Sequence, residues 1–295
     1  MDQAAALVSA IVSPLPRRAV LAFGRALGRV LGDLDRRHVA IAVDNLGRAF
    51  PDWDRSRLLR TARGVYAHFG QVLLDILWLQ GRSREEVLGL IDVEGGEHVR
   101  AAMAAGRGAI MATAHIGNWE LHGIGHGWTF GPIGVVARPL DNPDLDRRLC
   151  ALRTAGGNTV IYKQKALAPV LRAMREGQGV AILMDQNVQE KDGIFVDFFG
   201  RPAATTTVVA ALAVKTGCAL VPCHTEIGRG GRYRMIYDPP LNWSPSGDRQ
   251  ADIAHVTQEL TRHIEAWVRG VPEQWLWIHR RWKTAPSGGG GRDVP

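Results

Sequence analysis

From Ile91 onward the chain sets short apolar runs between stretches of helical periodicity, and that alternation limits the folds open to it. Residues 90–93 lead into 97–105, 109–114 into 119–127, and 134–137 into 144–155. Residues 159–162 precede 166–175, and 180–184 precede a loop and then 206–216. Residues 219–225 and 233–237 read as two paired strands before a helix over 253–269. Strands separated by helices of about 10–15 residues imply βαβ units and a largely parallel sheet. The expected class is α/β, with a central, mostly parallel or mixed sheet flanked by helices. Ligands of such sheets gather beyond the carboxyl ends of the strands.

Residues 1–80 carry no strand signal. Val65, Phe69, Val72, Leu73 and Ile76 recur at helical spacing, while Arg63, Gln71 and Asp75 fall on other faces. Residues 4–13 are apolar, but Pro14, Pro16, Arg17 and Arg18 follow at once, and Arg25 and Arg29 break residues 19–31. Nothing approaches the roughly 18 uninterrupted apolar residues of a spanning helix. The charge follows the apolar run instead of preceding it, unlike a cleaved signal. Two readings stay open for this part: a basic amphipathic segment lying in a membrane interface, or plain packing helices. The expected organisation is a helical, membrane-associating region over 1–80, an α/β core over 81–284 and a flexible tail over 285–295.

An excess of 36 Lys+Arg over 29 Asp+Glu gives a net charge of +7. That balance suits an anionic partner: a phospholipid surface, an acidic carrier protein, a phosphorylated substrate or nucleic acid. Nucleic acid is the weakest of these, because neither a helix-turn-helix nor a Cys/His finger pattern is present. Cys150, Cys218 and Cys223 form no paired framework and no CxxC motif, as expected in a reducing compartment.

The chemistry concentrates at residues 112–120. The apolar run 109–112 ends almost directly on His115, and Gly117-Asn118 opens a helix that carries Glu120. An imidazole at the end of a strand can take a substrate proton on one nitrogen while a carboxylate holds the other. Backbone N–H groups at a helix start, here around Gly117 and Asn118, can receive a developing negative charge. Asp185 also directly follows an apolar run and belongs to the same edge. His122 and His126 invite a metal reading with His115 and Glu120, that of a metal-dependent hydrolase, as a remote alternative, but the HxxxxExH spacing is not that of a zinc HExxH site. No metal and no cofactor are expected.

The HxxxxE pattern after an apolar strand resembles the HX4(D/E) signature of the glycerolipid acyltransferases. Further motifs narrow the likeness. Val135, Arg138, Asn142 and Pro143 lie in a block similar to one of the lipid A late acyltransferases, and Met184-Asp185-Gln186-Asn187 resembles their aspartate block. Residues 196–201 with Thr205-Thr206 resemble the following FFG segment, and 272–283 match the closing block. Order and spacing agree over roughly residues 15–284.

This resemblance implies transfer of a fatty acyl group from acyl carrier protein, or acyl-CoA, to a hydroxyl of a membrane lipid. A lipid A precursor leads the candidate acceptors; a phosphoinositide mannoside, an aminolipid or a lysophospholipid is the alternative. His115 is then the general base and Glu120 its orienting partner. The nucleophile is the substrate's own oxygen, in keeping with a chain that lacks a GxSxG elbow. Arg138 supplies positive charge near the oxyanion or a substrate phosphate. Asp185 helps orient the acceptor or holds Arg138, or simply caps a loop, and Gln186 is a further substrate contact. The resemblance also implies residence on the cytoplasmic face of a bacterial inner membrane, peripheral or monotopic. In the closing block, Trp275 and Trp277 alternate like one face of a strand, with His279, Arg280, Arg281 and Lys283 toward the surface. Phe195, Phe198 and Phe199 read as wall, lining a slot for the acyl chain. The N-terminal apolar segment departs from the family's long anchor, being short and broken by prolines.

Overall fold

The computed structural model describes residues 8–228 and 230–287. Residues 4–7 of the N-terminal apolar run, and all but the first three residues of the expected tail, lie outside the described residues. Helices come first: residues 8–12 are helical, and α1 (Arg17–Leu34), α2 (Arg36–Ala49), α3 (Arg55–Leu79) and the short α4 (Arg84–Leu88) follow. α1 crosses α3 backbone to backbone, because Gly24, Gly28 and Gly32 fall on one face four residues apart. A Cβ at Gly28 would sit 2.1 Å from the Tyr66 carbonyl oxygen, and one at Gly70 would sit 2.4 Å from that of Gly24. Arg17 then ties the start of α1 to the buried Asp75 of α3 by two bonds of 2.8 and 2.7 Å. Asp54 caps α3 by accepting from the Arg57 N–H.

The core alternates as the sequence predicts: β1 (Ile91–Glu94), α5 (Gly96–Ala104), β2 (Ala109–Thr113), α6 (Trp119–Phe130), β3 (Ile133–Ala137), α7 (Pro143–Thr154), β4 (Thr159–Tyr162), α8 (Leu167–Arg175) and β5 (Gly179–Leu183). After the hairpin β6 (Gly193–Phe198) and β7 (Arg201–Thr206) come α9 (Val208–Thr216), β8 (Ala219–Ile227), β9 (Tyr233–Tyr237) and α10 (Arg249–Gly270). The main sheet has the order β1-β9-β8-β2-β5-β3-β4. Its pairs are parallel except β8–β9. β2 lies at the centre with its first four residues buried, as a strand covered on both faces must be.

The register of β2 against β5 fixes the rest. Thr113 lies opposite Leu183, and the Met184 N–H donates to the Thr113 carbonyl at 3.1 Å. His115 and Asp185 are each two residues beyond that last pair, so both leave the sheet at the same edge and side by side.

Three expectations are corrected. The stretch between β5 and α9 is not simply a loop: it forms the antiparallel hairpin β6–β7, closed by a two-residue turn in which Phe199 (φ 57°) and Gly200 (φ 71°) are both left-handed. Trp275 and Trp277 do not lie on a strand. They follow a 3-10 turn at Pro272–Gln274, and Trp275 makes a single antiparallel bridge to Ile116. Arg281 does not face the surface either. It is 1% exposed, its guanidinium donates to the Ala204 carbonyl at 2.7 Å and to Thr205 Oγ1, and it lies over the Phe198 ring.

Among the described residues no helix is long and apolar enough to cross a membrane. α1 nevertheless exposes Phe23 (61%) and Leu34 (74%), with Val30 and Leu31 beside them and Arg18 and Arg29 interspersed.

Candidate active site

The site forms where β2 and β5 end. His115 Nδ1 lies 2.8 Å from Asp185 Oδ1, and the His115 backbone N–H donates to Asp185 Oδ2 at 2.9 Å. The indole N–H of Trp275 reaches the same Oδ2 at 2.8 Å. Three donors thus converge on one buried carboxylate. Burial alone would raise the Asp185 pKa, but the charge and hydrogen bond of His115, its backbone N–H and Trp275 hold it down at about 2. Burial likewise pulls His115 down, yet Asp185 outweighs it, Glu120 adds to the rise, Arg153 opposes it, and the net shift is upward.

With Nδ1 donating to Asp185, Nε2 is the nitrogen left to accept a proton, and it has no partner among the described residues. The His115 side chain is 20% exposed against 2% for Asp185, so solvent or a substrate can reach the imidazole but not its acid. Trp119 packs edge-on against the imidazole, with ring centroids 5.0 Å apart.

The expected partnership of His115 with Glu120 is not what forms. Both Glu120 oxygens go to Arg153 on α7, at 2.8 and 2.6 Å, and Oε1 also accepts from the Trp119 indole at 3.1 Å. The physical reason is that Glu120 lies in the first turn of α6 facing α7, whereas Asp185 leaves the neighbouring strand β5 two residues past its end, level with the histidine leaving β2. Glu120 acts on the imidazole through its charge. Arg153 is a residue the sequence did not mark. It ends a helix that was expected, but nothing local in its neighbourhood distinguishes it from other arginines.

Gly117 is left-handed (φ +61°), and a Cβ there would lie 1.7 Å from the Thr225 carbonyl oxygen, so only glycine fits. Its N–H donates to the Gln274 carbonyl at 2.9 Å and is therefore not free to receive an oxyanion, contrary to expectation. Its carbonyl accepts from His68 Nε2 at 3.2 Å. Asn118 caps α6 by accepting from the Leu121 N–H at 3.0 Å, while its amide donates to the Tyr233 hydroxyl at 3.2 Å. That side chain is fully engaged in holding the loop. Arg138 follows β3 on the same edge, exposed, with its guanidinium 3.0 Å from the exposed Asp141. Gln186 is exposed directly after Asp185.

The closing segment braces the site from behind. Leu276 N–H donates to the His115 carbonyl at 3.1 Å, and Asn45 donates to the carbonyls of Trp277 and His279, each at 2.7 Å. His279 Nε2 accepts from the Asn187 N–H at 2.9 Å, and Thr284 Oγ1 bonds both Asn187 and Val188. His122 and His126 point away from the imidazole, to Thr225 Oγ1 at 2.7 Å and the Tyr237 hydroxyl at 2.8 Å. Among the described residues no group of three His, Cys, Asp or Glu side chains is disposed to hold a metal ion.

Comparison with known proteins bears on this geometry. A family model described as bacterial lipid A biosynthesis acyltransferase matches residues 2–284. The chain belongs to that family. It is accordingly an acyltransferase. It is 28% identical to a lipid A biosynthesis lauroyltransferase of Escherichia coli K12 over 285 residues, covering 94% of this chain and 90% of that one. It is 27% identical to a phosphatidylinositol mannoside acyltransferase of Mycolicibacterium smegmatis over 251 residues, covering 84% and 78%. A lipid A biosynthesis palmitoleoyltransferase of E. coli K12 is 26% identical over 282 residues, covering 93% and 88%.

Proposed function

We propose that the protein moves a fatty acyl group from a carrier thioester, on acyl carrier protein or coenzyme A, directly to a hydroxyl of a membrane glycolipid. A lipid A precursor is the first candidate acceptor. His115 Nε2 takes the acceptor's proton, and the freed oxygen attacks the thioester carbonyl. The C–S bond then breaks, and the imidazolium returns its proton to the departing thiolate. Asp185 fixes the ring's tautomer and balances its charge through the transfer. One observation supports this most: an imidazole with one nitrogen taken by a buried carboxylate and the other left open, at the carboxyl edge of a parallel sheet.

Glu120 and Arg153 contribute a fixed ion pair beside the imidazole. Arg138 and Gln186, exposed on the same edge, are assigned to the acceptor, with Arg138 exchanging its surface partner Asp141 for a substrate phosphate. No cofactor is required, because the nucleophile is the substrate's oxygen and the thioester brings its own leaving group.

The chain's similarity to a phosphatidylinositol mannoside acyltransferase nearly equals that to the lauroyltransferase, which supports a second acceptor class. Purified protein given acyl-carrier and acyl-CoA thioesters with a lipid A precursor, a phosphoinositide mannoside, an aminolipid and a lysophospholipid separates these by mass spectrometry. Acylation of the lipid A precursor supports the first reading. Acylation of the mannoside alone moves the assignment to the second. Failure with every glycolipid overturns both.

The proposal includes docking at the cytoplasmic face of a bacterial inner membrane. Exposed Phe23, Val30, Leu31 and Leu34 enter the interface, and Arg18 and Arg29 meet anionic headgroups.

A further inference from the structure

We propose that Trp275 is a positioning residue for the reaction: by sharing the Asp185 carboxylate with His115, its indole N–H sets how firmly that carboxylate holds the imidazole. The inference rests on the reading of His115 as base given above.

The geometry is specific. The indole N–H and the His115 backbone N–H meet the same oxygen, Oδ2, at 2.8 and 2.9 Å, while Oδ1 takes the imidazole at 2.8 Å. Trp275 is 0% exposed and Asp185 3%, so solvent is not at hand to stand in for a lost donor. A carboxylate's negative charge is divided among the donors that solvate it. Each added hydrogen bond stabilises the anion and weakens its pull on the others. Removing the indole donor therefore leaves Asp185 a stronger partner for the imidazolium.

Trp275 also stands where it can serve both halves of the pair. Its backbone bridges Ile116, between the Gly117 N–H to Gln274 bond and the Leu276 N–H to His115 bond, so one segment fixes the histidine loop and the acid together. Its ring is wedged edge-on between Trp277 and Phe198, with centroids 4.6 and 5.6 Å away, and that packing sets the direction of the N–H. The other charged or titratable groups facing the pair are Glu120 on α6, Arg153 on α7, His68 on α3, and His279 and Arg281 in the closing segment.

Trp275→Phe keeps an aromatic ring and deletes the donor. The readouts are the pH dependence of kcat/KM and a 15N titration of His115 in the intact chain. The expected result is a His115 midpoint about 0.5–1 pH unit higher, so that kcat/KM on the acid limb falls about three- to tenfold while the alkaline plateau falls much less. An unmoved or lowered midpoint, or an equal loss at every pH, overturns the proposal. Should the variant fail to fold, the indole 1H–15N resonance of Trp275 in the wild-type protein, assigned through its backbone, is expected to move with the midpoint of His115. A resonance that ignores that titration overturns the proposal. Turnover surviving in His115→Ala removes the reading on which the inference rests. Turnover lost there, with a wild-type profile for Trp275→Phe, removes only the role of Trp275.

Discussion

His115 could be picked out from the sequence because a polar, titratable side chain directly after a buried strand has few structural uses. Its partner could not. The nearest carboxylate along the chain is Glu120, but nearness across a sheet depends on strand order, and nothing local says that β5 lies beside β2. Asp185 was visible as a residue on the same edge; its bond to the imidazole was not. Glu120 instead completes an ion pair in which both side chains are largely buried, 8% and 13% exposed. Breaking such a pair from one side strands a charge and costs about 3–5 kcal/mol. Glu120→Ala is expected to lose stability of about that size in urea unfolding, whereas Glu120→Ala with Arg153→Leu recovers a large part of it. A double variant no more stable than the single one would contradict the pairing.

At the scale of elements, the parallel core is legible because each apolar run is followed by a helix of the right length. The hairpin β6–β7 is not, for a physical reason at its turn. Two-residue turns of this hand favour Asn-Gly or Asp-Gly, and here the first position is Phe199. Its left-handed backbone is held by burial against Phe50 and Trp277 and by an N–H bond to Glu265 at 2.6 Å, which are tertiary contacts. The α1–α3 crossing is the reverse case, written in a run of glycines four residues apart but indistinguishable, without α3 in view, from glycines scattered in a loop. Gly28→Ala places a methyl carbon against the Tyr66 carbonyl. Overpacking of this kind costs about 1–3 kcal/mol, and the rigid backbone contact puts this site at the upper end. Chemical denaturation should show a loss of about 2 kcal/mol or more; a loss below about 0.5 kcal/mol would mean that the helices do not meet here.

Over the whole molecule, the sequence suggested an anionic partner through its +7 charge but gave no hint of how many histidines the fold holds neutral. Burial lowers His68, His126 and His279 to about 4. Between about pH 6.5 and 4 the unfolded chain therefore binds protons that the native chain refuses, and stability must fall as the pH falls. Each such group contributes about 1.4 kcal/mol per pH unit, so these three give a slope of about 4 kcal/mol per pH unit near pH 5, and His122, pulled well below the ordinary value by burial, adds to it in the same sense. His115 acts in the opposite sense, because its pKa is raised, but its contribution is lost only as pH climbs above the ordinary histidine value. Asp185, depressed to about 2, adds a further loss only below about pH 4. Urea midpoints measured from pH 8 to pH 4.5 are expected to be near their highest at about pH 7, to change little toward pH 8, and to drop steeply below pH 6. A flat profile would show that these imidazoles are not buried neutral.

The central claim is that an imidazole held by Asp185 removes the acceptor's proton, and the rate of acyl transfer by His115→Ala tests it most directly. General-base catalysis contributes about 10²–10⁴-fold, so turnover should fall at least about a hundredfold while the thermal unfolding midpoint stays near that of the wild type. A folded His115→Ala protein retaining more than about a tenth of wild-type turnover would contradict it.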